Sequence, residues 1–243
     1  MADINATFCL PLPVLENDRI KLTPFVPTLH QQLFYALSTA HPEAFHHLPY
    51  GPSKAELDHL LFTRIAPDPS MALYAVLDKS SANTNADATG KGDDYPFAGT
   101  MGWIGASAQH LKAEIGFVTV FPAFQRKGIA TQAAGMMLRY ALDLPSDGGL
   151  GLRRVQWQAY IENSKSVRLA ESLGFVKEAV FRWDRVHHET EELVNGTSSY
   201  PPRTGDPKEG RPGRNTVVLA ICWDDWEKDR GRVVALVESA SRR

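Results

Sequence analysis

Only two cysteines, Cys9 and Cys222, occur in the 243-residue chain, far apart and without metal-ligand spacing. That scarcity excludes a disulfide framework and a cysteine-based zinc site, and it predicts that each thiol is a small buried hydrophobe. Long apolar runs are missing as well. No window approaches the roughly 18 uninterrupted apolar residues of a membrane span, and MADINATFCLPLPVLEN lacks the cationic start and apolar stretch of a secretory signal. Without such a signal the sequon Asn195-Gly196-Thr197 carries little weight. Nor does one sign of charge dominate: 26 basic against 28 acidic residues leave a formal net charge of −2. A broad nucleic-acid-binding surface is therefore not expected. Two phosphate-binding patterns are also absent, the Gly-x-x-x-x-Gly-Lys-Ser/Thr loop and the Gly-x-Gly-x-x-Gly fingerprint. His41, His46, His47 and the run His187-His188-Glu189 do not match the His-Glu-x-x-His zinc spacing, so no metal is expected. What remains is an ordinary globular composition, 43% apolar and 22% charged, suited to a cytoplasmic or nucleocytoplasmic enzyme.

Periodicity organises the chain. Alternation over 19–25, a continuous apolar run over 71–77, and the segments 97–104, 113–120, 155–160, 175–186 and 216–222 predict seven strands. Helical spacing predicts five helices, over 28–40 (Leu29, Leu33 and Leu37 as the apolar face, widened by Phe34), 53–65, 128–142, 164–173 and 225–239. The second is opened by the capping box Ser53-x-x-Glu56 and ended by Pro67. Polar stretches over about 79–95 and 195–214 interrupt strand pairs and are expected to be flexible loops. The alternation predicts an α/β (α+β) chain: one domain over 1–243, with a core over about 19–222 and a mixed, mostly antiparallel sheet of about seven strands flanked by helices.

One junction carries chemistry. A strand containing Glu114 through Val120 runs into Phe121–Phe124, and Gln125-Arg126-Lys127-Gly128-Ile129-Ala130-Thr131 opens directly into a helix. The first amides of a helix have no intrahelical acceptor and sit at the positive end of its dipole, so such a mouth binds phosphate. Gly128 permits close approach of a ligand to the main chain, Ala130 keeps the first turn uncrowded, and Arg126 and Lys127 add positive charge. A purely structural turn explains a lone glycine equally well.

Gln125-x-x-Gly128-x-Ala130 resembles the pyrophosphate loop of the GNAT superfamily of N-acetyltransferases, Gln/Arg-x-x-Gly-x-Gly/Ala. The downstream run from Tyr160 to Phe175, with Asn163, Ser166 and Leu173-Gly174-Phe175, is similar to that family's second hallmark. Arg19-Ile-Lys-Leu-Thr-Pro-Phe25 and the Asn-x-x-Ser motif look most like the branch that includes ribosomal-protein alanine N-acetyltransferases.

The resemblance implies the GNAT fold and transfer of acetyl from acetyl-CoA to a primary amine, by direct attack through a tetrahedral intermediate. It assigns cofactor binding to Val118, Val120, Gln125, Arg126, Lys127, Gly128, Ile129, Ala130, Thr131, Asn163 and Ser166. Val118 and Val120 lie on a bulged strand whose edge pairs with pantetheine, and an amide near Val118 faces the thioester oxygen. Glu114 stands where some relatives place a catalytic base, and Ser166 where many place a tyrosine that protonates the thiolate. A strand carboxylate facing solvent and a helix-turn serine bonding its own backbone are the plain alternatives. By the family layout, Phe45, His46 and Tyr50 line the acceptor pocket and Trp183 borders it. The expected partners are acetyl-CoA and an amine acceptor, with no nucleic acid, no membrane and no metal, in a monomer or homodimer. A small-molecule amine is the first expectation. A polypeptide N-terminus and a non-catalytic CoA-binding role are the alternatives.

Overall fold

The computed structural model describes residues 3–80, 95–186, 203–209, 211 and 213–241. Strands β1 (Leu15–Glu16), β2 (Ile20–Pro24), β3 (Ala72–Asp78), β4 (Phe97–Ser107), β5 (Lys112–Val120), β6 (Arg154–Tyr160), β7 (Val176–Val186) and β8 (Gly213–Cys222) form one sheet. Its order is β1-β2-β3-β4-β5-β6-β8-β7, and every neighbouring pair is antiparallel except β5 with β6. Helices α1 (Pro27–Ala40), α2 (Lys54–Asp58, continued by a wider turn over His59–Ile65), α3 (Ile129–Leu142), α4 (Ser164–Ser172) and α5 (Trp223–Ser241) cover its two faces. The strand beyond the expected seven is β1, two residues long and too short to show a period. β8 also starts earlier than expected, at Gly213, inside the stretch read as loop. Residues 81–94, 187–202, 210 and 212, which include His187-His188-Glu189, Glu191, Glu192 and the sequon, lie outside the described residues.

Alternation decides which side chains meet which helices. Ala113, Ile115, Val155, Trp157, Leu219 and Ile221 pack with α3, α4 and α5 in one buried cluster. Leu73, Ala75, Leu77, Phe97 and Phe117 pack with α1 and α2 in the other. The capping box at α2 forms as expected at its serine: Ser53 Oγ accepts the Glu56 N–H at 3.3 Å, while the Glu56 carboxylate reaches back to the Gly51 amide at 3.1 Å. Two expectations need correction. Helix α1 buries Phe34 and Tyr35 together with His30, Gln31 and Ser38, and leaves Leu29 and Leu33 44% and 47% exposed. Polar partners make that face possible, because His30 Nδ1 accepts the Val26 N–H at 2.9 Å and Gln31 and Tyr35 both bond Asp58. Cys9, expected to be buried, is exposed.

A bulge in β5 inverts its pattern. Thr100 pairs with Thr119 but Gly102 pairs with Gly116, so Phe117 and Val118 together face the single residue Met101. Phe117 takes φ +53°, and its carbonyl accepts the Thr100 hydroxyl at 2.9 Å. Two residues opposite one reverse the faces beyond the bulge. Ile115 therefore belongs to the α3–α5 side, Phe117 to the α1–α2 side, and Val118 and Val120 to the α3–α5 side again. The parallel pairing of β5 with β6 stops just before this bulge, at Ile115 opposite Trp157. From Gly116 onward the two strands diverge, and the sheet splays open between them.

Candidate active site

The far end of β5 delivers the chain to the mouth of α3. Phe121 leads into a short turn at Pro122–Phe124, and Gln125 Nε2 donates to the Val120 carbonyl at 2.8 Å, folding the loop back on the strand. Arg126 and Gly128 both adopt left-handed backbone, at φ 61° and 75°. Alternating hands of this kind turn successive amides toward one side and form an anion-binding concavity. The first helical bond closes from the Gln132 N–H to the Gly128 carbonyl at 2.9 Å, leaving the amides of Ile129, Ala130 and Thr131 in the unsatisfied first turn. The loop cations Arg126 and Lys127 are exposed. These groups suit a pyrophosphate.

The structure gives Gly128 a second reason to be glycine. A Cβ there would lie 2.8 Å from the Ala240 carbonyl oxygen and 3.0 Å from its Cβ. The neighbour is the end of α5, which runs antiparallel along α3. Trp226 and Arg230 bond Asp143 at one end, and buried Gln132 reaches the Ala240 carbonyl at 3.3 Å at the other. Gln132 also accepts from Asn17 at 3.1 Å, so the turn between β1 and β2, the mouth of α3 and the end of α5 are tied by one amide.

Across the splay, Asn163 caps α4 by accepting the Ser166 N–H at 3.1 Å. Ser166 Oγ accepts from Trp157 Nε1 at 2.9 Å, which fixes the oxygen and leaves its own proton to donate. Asn163 and Ser166 are thus brought to the α3–α5 side, the same side as the loop.

Glu114 faces the opposite way, since its neighbours Ala113 and Ile115 point into the α3–α5 cluster. It sits opposite Gln156 in β6, at the last paired turn before the splay. Its Oε2 accepts from Gln158 Nε2 at 2.9 Å and from Gln156 Nε2 at 3.2 Å. The Gln156 amide is held in that sense because its oxygen accepts from Arg154, itself forked onto Glu178 at 2.6 and 2.8 Å. Burial pushes the Glu114 carboxyl up to about 7, against the pull of the two amides and of the positive charges of Arg185 and Arg214. A carboxylate titrating there is matched to accepting a proton near neutral pH.

The other nominated residues divide. Phe45 and Tyr50 are buried in the α1–α2 cluster, with Tyr50 6.4 Å from the Phe117 ring across the bulge. His46 is partly buried, and its ring lies 5.7 Å from that of His47. Trp183 is 46% exposed on β7, takes φ +55° in a second bulge, and lies over Gly213. Several groups had not been singled out: Gln156 and Gln158, Arg185 and Arg214, and His47. The polar alternation Arg154, Gln156, Gln158 on a strand otherwise apolar marked a polar face, but only the register names Glu114 as its partner.

No described helix is long and apolar enough to cross a membrane. Among described residues, the one candidate metal cluster, Cys222 with Asp224 and Asp225, lies at the start of α5, away from the splay.

No curated protein sequence matches the chain. In structure it is similar to a GCN5-related N-acetyltransferase from Brucella melitensis, at 22% identity and TM-score 0.68, covering 93% of this chain and 85% of that one. It is also similar to a spermidine N-acetyltransferase from Vibrio cholerae in complex with CoA and spermine, at 17% identity and TM-score 0.58, covering 87% and 99%. At such identities the likeness establishes the fold. The family model described as acetyltransferase (GNAT) domain matches residues 19–176, from the first full strand through both sides of the splay. The chain belongs to the GNAT acetyltransferase family.

Proposed function

We propose that the protein is an acetyl-CoA-dependent N-acetyltransferase that moves the acetyl group to the primary amine of a small molecule by direct attack in a ternary complex. One observation carries the reading: the splay between β5 and β6 separates a helix mouth rich in unsatisfied amides from a partly buried carboxylate titrating near 7. The two sides have complementary chemistry, an anion cradle on one and a proton acceptor on the other.

Acetyl-CoA supplies the activated thioester. The amides from Arg126 to Thr131 hold its pyrophosphate, and Arg126 and Lys127 add screened positive charge. The edge of β5 at Val118 and Val120, released from β6, offers main-chain groups to pantetheine and to the thioester oxygen. Glu114 takes the proton of the incoming ammonium. Ser166, its oxygen fixed by Trp157, holds a proton toward the thiolate side. The small-molecule reading is supported by the aromatic packing of Phe45, Tyr50 and Phe117 beside the bulge of β5. Thiol release from acetyl-CoA, followed over a panel of small amines and N-terminal peptides, tests the proposal. Turnover on small amines is expected. Turnover on peptides alone contradicts the acceptor class, and thiol release on none, with acetyl-CoA still bound, supports a binding protein instead.

A further inference from the structure

The hydrogen bonds at Glu114 do not end at the two amides that touch it. Gln156 Nε2 donates to Glu114 Oε2 at 3.2 Å, and the Gln156 oxygen accepts from Arg154 Nη2 at 3.2 Å. The same guanidinium reaches across β8 and forks onto Glu178 of β7, at 2.8 Å to Oε1 and 2.6 Å to Oε2. Arg154 and Gln156 lie two residues apart on β6, so they share a face, and Glu114 stands opposite Gln156. A chain of polar contacts thus runs from the edge strand β7 through β6 to the carboxylate on β5.

A primary amide can present either end to a carboxyl group, and the two orientations act in opposite senses. Nitrogen toward Glu114 donates and favours the charged base. Oxygen toward it repels the base and is satisfied only by the protonated acid. A guanidinium has donors only, so Arg154 draws the Gln156 oxygen to itself and leaves the nitrogen for Glu114. Glu178 fixes the plane of that guanidinium through its two-point fork. The other groups around Glu114 act in different ways. Gln158 donates to the same oxygen at 2.9 Å, while Arg185 of β7 and Arg214 of β8 act by charge. Ile104 opposes it in β4 and carries no charge, and Lys112 shares its face of β5, opposite Arg154. Cys222 faces Arg154 from β8. The Arg154 and Glu178 side chains are 28% and 41% exposed, so their pairing adds little to folding. Its consequence is the direction it gives to Gln156.

We infer that Arg154 and Glu178 are positioning residues for the Glu114 base, locking the Gln156 amide with its nitrogen on that carboxylate so that it stands ready to take the proton of the acceptor amine. The inference rests on the acetyl-transfer reading above. Without Arg154 the Gln156 amide is free to turn its oxygen to Glu114, and the carboxyl then keeps its proton to higher pH. The rate suffers only where Glu114 titrates, because the deprotonated enzyme still holds its base.

The test compares the native enzyme with Arg154→Met, Gln156→Met, the double variant and Glu178→Met. One readout is the pH dependence of kcat/KM for thiol release from acetyl-CoA with the best amine acceptor. The other is a carbon NMR titration of carboxyl-labelled glutamate, with the Glu114 signal identified by its loss in Glu114→Gln, which needs no turnover. Arg154→Met should raise the Glu114 inflection by about half a pH unit to one pH unit, the worth of one hydrogen bond to a carboxylate. Its kcat/KM should fall about two- to fivefold at pH 7 and recover by about pH 9. Gln156→Met should raise the inflection similarly, and adding Arg154→Met to it should change nothing further, since the amide through which Arg154 acts is gone. Glu178→Met should also raise the inflection, by less, whereas removal of its charge alone would lower it. An inflection unmoved by Arg154→Met, raised again by it in the Gln156→Met background, or lowered by Glu178→Met overturns the inference and leaves acetyl transfer intact. The expected NMR changes with no thiol released on any amine support the positioning and overturn the acetyl-transfer reading.

Discussion

The proposed donor and acceptor sides of the splay are built from different materials. On the α3–α5 side the working groups are main-chain amides, set by two left-handed residues and a helix start, and their positions depend on little besides backbone conformation. On the α1–α2 side they are side chains from three strands: Glu114 on β5, Gln156 and Gln158 on β6, and Arg214 on β8. A backbone cradle serves any member that binds the same donor. A side-chain constellation can be rewritten residue by residue, so on the proposed function acceptor choice would reside there.

Perturbing each side in turn tests that contrast. The largest effect is expected at Gly128. Valine there meets both a left-handed φ and the Ala240 carbonyl, so acetyl-CoA affinity measured by calorimetry should fall about 100-fold or more, with a loss of roughly 1–3 kcal/mol in stability. Glu114→Gln should act on the other side alone. General-base loss lowers kcat about 100-fold or more, while acetyl-CoA affinity stays within about threefold. The same variant has a stability signature. Burial raises the carboxyl from 4.5 to about 7, so its contribution to folding is full below about 4.5 and is lost as pH rises through about 7. In chemical denaturation at pH 8, Glu114→Gln is therefore expected to be up to about 3 kcal/mol more stable than the native protein, a gain absent at pH 4. Ser166→Ala should lower kcat by about tenfold at most, because the Asn163 cap on its amide survives the substitution. A kcat unchanged by Ser166→Ala would remove the acid role. Smallest is the joint change Arg126→Met and Lys127→Met. Both side chains are exposed, so the apparent Kd for acetyl-CoA should rise only a few-fold at low ionic strength, and less at high salt.

Much of the donor side was legible in the sequence because it is local. Gln125-x-x-Gly128-x-Ala130 specifies a turn and a helix start within a few residues, and the strands and helices around it follow from period alone. The acceptor side was legible only at Glu114. Its partners come from β6 and β8, and the register that joins them depends on a bulge and on an unusual strand order, neither written in any local window. The same limit explains α1. Its leucine spacing suggested one face, but Asp58 on α2 satisfies Gln31 and Tyr35 and makes the adjacent face the buried one. Nothing local in the pair His46-His47 says which ring meets Tyr160, and the structure places His47 there.

The most direct test of the two-sided splay is the pH dependence of kcat/KM for the acceptor, measured for the native enzyme and for Glu114→Gln at saturating acetyl-CoA. The native profile should rise with pH through an inflection near 7, where Glu114 gives up its proton, and the variant should be slower and lack that inflection. An identical inflection and rate in the variant would contradict the assignment of the acceptor side to Glu114.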